Sequence, residues 1–102
     1  MKARTRTRLA AGGWAIGSAA DFLHLTPEEE AFVEMKMAMS RYLRARRTRM
    51  RLTQAQAAAR LRSSQSRVAK MEAADPSVSV DLLVRSLFKL GAKRKDIARA
   101  IA

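Results

Sequence analysis

Residues 64–73, SQSRVAKMEA, combine a narrow apolar edge with a broad polar face. At 100° per residue, only Val68 and Met71 fall together on a side that a protein core could bury. The opposite side and its flanks carry an amide, a hydroxyl and two cations: Gln65, Ser66, Arg67 and Lys70. Amides and cations pair with base edges in the major groove of DNA, where small apolar groups meet thymine methyls. This face is therefore predicted to contact base pairs.

A second short helix must position that face. Thr53 is a natural N-cap for QAQAAARL, in which Ala57, Ala58 and Leu61 are expected to face inward. The turn RSS then leads to Ser64, the expected N-cap of the polar helix. Two helices joined by so short a turn, with the second polar outward, form a helix-turn-helix arrangement.

The remaining segments are also predicted to be helical. TPEEE is a strong helix start, with Thr26 as N-cap and Glu29 completing a capping box, and this helix should run to about Thr48. Ser18 opens a predicted short helix through DFLHL, Ser77 or Ser79 caps VDLLVRSLFKL, and Gly91 ends it before a last helix in KRKDIARAIA. The predicted fold is an all-α bundle of five to six helices.

Charge is segregated along the chain, whose formal net charge is +12. Five acids and no Lys or Arg lie between Asp21 and Glu34, whereas eleven bases and no acid lie between Lys36 and Met71. Such a balance indicates a polyanionic partner, either nucleic acid or an anionic membrane surface. A membrane is disfavoured because Arg41–Arg51 offers few large aromatic side chains for insertion, and because the acids of Thr26–Glu34 would repel anionic lipid.

Other function classes find little support in the residues. The chain has no cysteine and a single histidine, His24, so thiolate chemistry and His-rich metal clusters are excluded. No nucleophile–base pair is visible, and the run EEE is explained by helix capping. We therefore expect no enzyme activity, no metal and no cofactor. Without an apolar run long enough for a bilayer, a cytoplasmic location is expected.

The chain is predicted to have three parts. Residues 1–17 form a basic N-terminal arm, and residues 18–34 form an extension that holds the short helix and the start of the long one. Residues 35–102 form the helix-turn-helix domain.

The segment LTQAQAAARLRSSQSRVAKMEA resembles the Xre/Cro-type helix-turn-helix family of phage repressors, and it is closest in appearance to HigA-type antitoxins. Leu52, Thr53 and Gln54 match the start of the family's second helix. Ala58 matches the small residue at the helix crossing, and the core positions are filled by Leu61, Val68 and Met71. The resemblance implies a lambda-repressor-like fold. It also implies a structural ion pair between Arg47 and Glu72.

The same resemblance implies which residues contact DNA. Helix starts that touch phosphates correspond to Gln54 and Ser64, and base-reading positions correspond to Gln65, Ser66 and Lys70. Arg67 could serve either role, and Arg62 is expected to meet phosphates. The family often has glycine where this chain has Arg51, Arg62 and Ala74, so either these turns differ in shape or the two arginines give up stability for phosphate contact.

The predicted function is sequence-specific regulation of transcription on double-stranded DNA with a palindromic operator, as the antitoxin and autorepressor of a toxin–antitoxin pair. The alternatives are a free-standing phage-type repressor and a protein-interaction module whose basic face is incidental. A homodimer is expected, with a toxin as a possible second partner. The apolar residues proposed for contact with a partner or a second copy are Trp14, Phe22, Leu25, Ile97 and Ile101.

Overall fold

The computed structural model describes residues 24–102, and this range is helical with no strand. The helices are α1 (Pro27–Arg49), α2 (Gln54–Leu61), α3 (Gln65–Glu72), α4 (Val80–Lys89) and α5 (Arg94–Ile101). The predicted all-α class is confirmed. The short helix expected through DFLHL lies mostly outside the described residues. The chain divides into two compact units, which are Met1–Met35 and Lys36–Ala102. The boundary between them falls within α1.

Side-chain caps fix where four of the helices begin. At α1, Thr26 and Glu29 form a capping box, with the Glu29 carboxylate 2.9 Å from the Thr26 nitrogen. Hydrogen bonding to the Glu29 carboxylate, first by the backbone of Thr26 and then by its side chain, holds the pKa of Glu29 below its usual value. Thr53 and Gln56 form a second box at α2. Hydroxyl caps from Ser64 and Ser79 begin α3 and α4, so the predicted starts are confirmed.

Four helices end in the same way. One or two positions after the helix, a residue adopts a left-handed conformation and donates to the carbonyl three residues back, while the next residue donates to the carbonyl five residues back. This is the Schellman motif. The left-handed residues are Arg51 (φ 60°), Arg62 (φ 53°), Ala74 (φ 53°) and Gly91 (φ 88°). The turns therefore keep the shape that glycine favours, although three of the four residues carry a Cβ.

The core of Lys36–Ala102 is aliphatic and rich in methionine. Helix α2 packs against α3 and α4, and Ala57 and Ala58 on its inner face are buried. Their small side chains allow neighbouring backbones to approach closely. The Ser86 hydroxyl of α4 lies 3.4 Å from the Met71 sulfur of α3. The largest fully buried side chains are Met39, Leu43, Met71, Leu83, Leu87 and Val68.

Two cations of α1 bind backbone carbonyls at the ends of other helices. Lys36 Nζ lies 3.2 Å from the Asp75 carbonyl oxygen, just after α3. Arg46 Nε donates to the Leu90 carbonyl at 2.7 Å, where α4 ends. Because Leu90 is the C-cap of α4, Arg46 is also stabilised by the partial negative charge at the end of that helix. Arg46 is half-buried in this contact.

A third cation of α1 forms the main polar connection to α3. Arg47 donates through Nε and Nη2 to the two carboxylate oxygens of Glu72, and through Nη1 to the Leu52 carbonyl at 2.8 Å. Gln54 adds a 3.2 Å hydrogen bond to the same carboxylate. The side chains of the pair are 15% and 5% exposed. The hydrogen bond to Glu72 is the main cause that raises the pKa of Arg47, so the guanidinium keeps its positive charge.

Removing either partner of this pair should destabilise the fold. Glu72→Ala leaves a largely buried guanidinium without its carboxylate, which costs about 3 kcal/mol. Thermal unfolding monitored by circular dichroism measures the loss. The exposed pair Asp81–Arg85 is the matched control, with side chains 76% and 74% exposed, and Arg85→Ala there should cost less than about 1 kcal/mol. Equal unfolding temperatures for wild type and Glu72→Ala would show that the pair is not structural.

A substitution at Ala74, which has a left-handed conformation, should stabilise the fold instead of destabilising it. Ala74→Gly relieves the Cβ strain at φ 53° and should raise the free energy of unfolding by up to about 1 kcal/mol. The reverse exchange at the matching position, Gly91→Ala, should lower it, because the new Cβ would lie 3.0 Å from Arg46 Nη2 at φ 88°. Denaturant midpoints measure both changes. A loss of stability in Ala74→Gly would contradict the strain.

Candidate nucleic-acid interface

Helix α3 is held by one edge and exposed along the other. Val68 and Met71 are 1% and 0% exposed, so the predicted buried edge is confirmed. The side chains on the remaining surface are open to solvent: Gln65, Ser66, Arg67 and Lys70. The helix starts where the Ser64 hydroxyl accepts from the Arg67 nitrogen at 3.1 Å. Because the cap fixes the start and two side chains fix the rotation, the sequence determines which face is presented.

The exposed side chains of α3 have no competing role within the described residues. Over residues 24–102, the side chains of Gln65, Ser66, Arg67 and Lys70 form no hydrogen bond and no ion pair. Their amide, hydroxyl, guanidinium and ammonium groups therefore remain available to a ligand. Ala69 of α3 is half-buried and Ala73, the residue after the helix, is exposed, and neither side chain extends beyond Cβ. This surface is shaped for close approach of a hydrogen-bonding partner.

The other predicted DNA-contacting residues have different surroundings. Arg62 lies in the turn between α2 and α3, exposed and without a side-chain partner in residues 24–102. The Ser64 oxygen already accepts the capping hydrogen bond, although its hydroxyl hydrogen remains free to donate. Gln54 is half-buried, and its amide donates to Glu72. The structure therefore gathers Arg62 and the residues of α3 at one continuous segment, and it places Gln54 in the ion-pair network.

The carboxylates of Lys36–Ala102 are all occupied by their own chain. This unit has seventeen Lys and Arg against four Asp and Glu. Glu72 binds Arg47, Asp81 binds Arg85, and Asp96 binds Arg99 and the Lys93 nitrogen. Asp75 accepts from the hydroxyl and the nitrogen of Ser77. Apart from Arg85 and Arg99, the exposed cations of this unit form no ion pair within it, and the field around it is strongly positive.

The positive charge of Lys70 on α3 also affects the pKa of Asp75. Its hydrogen bonds from the Ser77 side chain and backbone are the main cause of a lowered pKa, and the positive charges of Lys70 and Lys36 lower it further. Lys70 forms no direct ion pair with it in the described part of the chain. The ammonium group of Lys70 therefore lies near Asp75, whose carboxylate already accepts hydrogen bonds from Ser77.

The apolar residues proposed for partner contacts differ in how far they are exposed to solvent. Ile97 is 7% exposed and belongs to the core of its own chain, whereas Ile101 is 37% exposed. Leu25 is half-buried, and Trp14 and Phe22 lie outside the described residues. Sequence analysis did not single out Phe88, which is 44% exposed on α4. A period of 3.6 residues distinguishes faces but does not show which apolar residue at the edge of a stripe stays in solvent.

Within residues 24–102, no three His, Asp or Glu side chains come close enough to hold a metal ion. Helices in this range are too short or too polar to cross a bilayer.

A comparison with protein families agrees with this geometry. A family model described as a helix-turn-helix domain matches residues 38–100, which include most of α1 and nearly all of the four helices after it. No curated protein and no solved structure matched the chain. The match covers more than half of the sequence, and it includes the pair of short helices, the ion pair and the exposed face of α3. The chain belongs to the helix-turn-helix domain family, a family of DNA-binding domains.

Proposed function

We propose that this protein is a sequence-specific regulator of transcription that binds double-stranded DNA through α3. The observation that carries the proposal is the outward face of α3, where four polar side chains are exposed and unpartnered within the described residues. A helix fixed by an ion pair and two buried side chains presents this face rigidly. An α-helix fits the major groove of B-form DNA, where each base pair shows a distinct pattern of donors and acceptors.

The roles of the side chains follow from their chemistry. Gln65 can form two hydrogen bonds with adenine, and Lys70 can donate to the acceptors of guanine. Ser66 can pair with any base edge near the start of the helix. Phosphate contacts, which fix orientation without reading sequence, are assigned to Arg67, Arg62, Ser64 and Gln54. Gln54 retains this role only if its second amide hydrogen turns outward, since the first serves Glu72.

The cations of α1 extend the contact to the DNA backbone. Arg41 and Arg44 are exposed, and their side chains have no partner in residues 24–102. Each phosphate neutralised by such a cation releases condensed counterions, so binding should weaken steeply as salt is raised. These residues supply affinity for any duplex, whereas α3 supplies the preference for one sequence.

A homodimer on a palindromic operator suits a domain of this kind. Two copies related by a twofold axis would place their α3 helices in successive major grooves, about 34 Å apart. Ile101 and Phe88 are the exposed large apolar residues of Lys36–Ala102 that a second copy could cover. Ile97 contributes to this interface only indirectly, by holding α5 against its own core.

The division between affinity and specificity can be measured. Gln65→Ala and Lys70→Ala should each weaken binding to a selected operator by about 1–3 kcal/mol and affect random duplex much less. Arg41→Ala should weaken binding to both duplexes alike and lower the slope of log affinity against log salt by about one. Fluorescence anisotropy at two salt concentrations measures all three variants.

The control for these variants is thermal stability, which should stay at the wild-type value because all three side chains are exposed. Equal losses on operator and random duplex would make Lys70 a phosphate contact. No loss in either α3 variant would remove this helix from the groove.

A second candidate role, that of an antitoxin, adds a protein partner to the same DNA-binding activity. It is favoured by Phe32, which is 51% exposed on α1 beyond a first turn that carries Glu28, Glu29 and Glu30. An exposed aromatic side chain close to an acidic turn suits a basic protein with an apolar pocket. A free-standing repressor would need no such surface, and a pure protein-interaction module would not need the free face of α3.

Co-expression separates these roles. If the chain is an antitoxin, it should neutralise and co-purify with the product of a small neighbouring gene. Phe32→Glu should then abolish co-purification but leave operator binding unchanged. Failure of the wild-type protein to bind the product of any adjacent gene would leave the free-standing repressor as the account of this protein.

A further inference from the structure

A four-residue pattern occurs twice, once before each helix of the helix-turn-helix pair. Arg51-Leu52-Thr53-Gln54 leads into α2, and Arg62-Ser63-Ser64-Gln65 leads into α3. In both copies the arginine is left-handed, with φ of 60° and 53°, and the third residue is the N-cap. The fourth residue, a glutamine, is the first of the helix. The same local structure is therefore built twice, eleven positions apart.

The turns themselves do not call for arginine. The turn at Gly91 after α4 has the same two backbone hydrogen bonds as the turns at Arg51 after α1 and at Arg62 after α2. Glycine adopts this conformation without the clash between Cβ and the following carbonyl oxygen that every other residue meets. Arginine is thus a less stable choice at both positions, and its side chain must supply the reason for its presence.

Contacts within the protein do not explain why arginine is present at these two positions. Arg51 and Arg62 are exposed, and over residues 24–102 their guanidinium groups form no hydrogen bond and no ion pair. Arg46 and Arg47 show the contrast, since both are half-buried and donate to backbone or carboxylate oxygens. The stability lost at φ 60° and 53° is therefore not recovered by any described contact of the two side chains.

The surroundings of Arg51 strengthen this point. At the start of α2, Thr53 and Gln56 are occupied by their capping box, and Gln54 donates to Glu72. Among the polar side chains of residues 51–56, Arg51 alone has no partner in the described part of the chain. If the start of α2 meets a DNA phosphate, Arg51 is the side chain that is free to bind it.

We propose that Arg51 and Arg62 are paired phosphate contacts, placed at left-handed turn positions that glycine would otherwise occupy. This inference rests on the proposed function, because the phosphates are those of the duplex that α3 reads. Guanidinium groups bind phosphate oxygens with two parallel hydrogen bonds, which fixes geometry as well as charge. Two such contacts, one before each helix, would fix the orientation of the helix pair on the DNA backbone.

The test measures both the unfolding temperature and the affinity for DNA, because a substitution by glycine should not lower the first but should lower the second. Arg51→Gly and Arg62→Gly should each keep or raise the unfolding temperature, by up to about 4–8 °C, because strain is removed. Each should also weaken binding about fivefold at 0.15 M salt, on operator and random duplex alike, and lower the salt slope by about one. The double variant should lower the slope by about two. The duplexes are one selected from a randomised pool by the wild-type protein and one of random sequence.

Two matched controls separate charge from strain. Ala74→Gly relieves a left-handed residue that has no charge, so it should raise the unfolding temperature and leave DNA binding unchanged. Lys89→Ala removes an exposed, unpartnered cation of α4 and should leave the salt slope nearly unchanged.

The outcomes distinguish this inference from the proposed function. If the wild-type protein binds neither duplex, the proposed function fails, and this inference fails with it. If the wild-type protein binds and both glycine variants bind equally well, the function stands and the phosphate contacts are overturned. A lower unfolding temperature in either glycine variant would show that arginine is the stabilising choice, which would also overturn the inference.

Discussion

The ion pair between Arg47 and Glu72 determines how the rest of the domain is arranged. Arg47 belongs to α1, its carboxylate partner is the last residue of α3, and its remaining donor binds the Leu52 carbonyl between α1 and α2. Gln54 of α2 joins the same carboxylate. Helices of eight residues are not stable alone, so the orientation of α3 must come from tertiary contacts. With two buried side chains on α3, this polar network supplies much of that constraint.

The same arrangement explains why the unit remains strongly positive. Its four carboxylates are used to cap, to close a turn or to pair with a neighbouring cation, and none is placed against the outward face of α3 as a partner. Cations on α1 fall into two groups. Lys36, Arg46 and Arg47 bind inward to backbone carbonyls and to Glu72. Arg41, Arg44 and Arg49 stay in solvent. One helix thus both binds to its neighbours and leaves positive charge exposed to solvent.

Local features of the structure could be predicted from the sequence, and distant contacts could not. The caps at Thr26, Thr53 and Ser64, and the buried edge of Val68 and Met71, depend on residues within one helical turn. The bond from Arg46 to Leu90 joins residues 44 positions apart, so no pattern within one helix indicates that Arg46 is half-buried. The shapes of these turns could not be predicted from the sequence. An arginine at a position where glycine is expected indicates either a different turn or a strained one. The positive φ angles of Arg51 and Arg62 decide for strain.

The central claim is that the outward face of α3 enters the major groove. The most direct measurement is an NMR titration of the ¹⁵N-labelled protein with a duplex selected by the protein itself. The account predicts that the largest changes in amide chemical shift fall in residues 62–70, with smaller changes at the start of α2 and little change in α5. Changes concentrated in α4 and α5, with residues 62–70 unaffected, would contradict it.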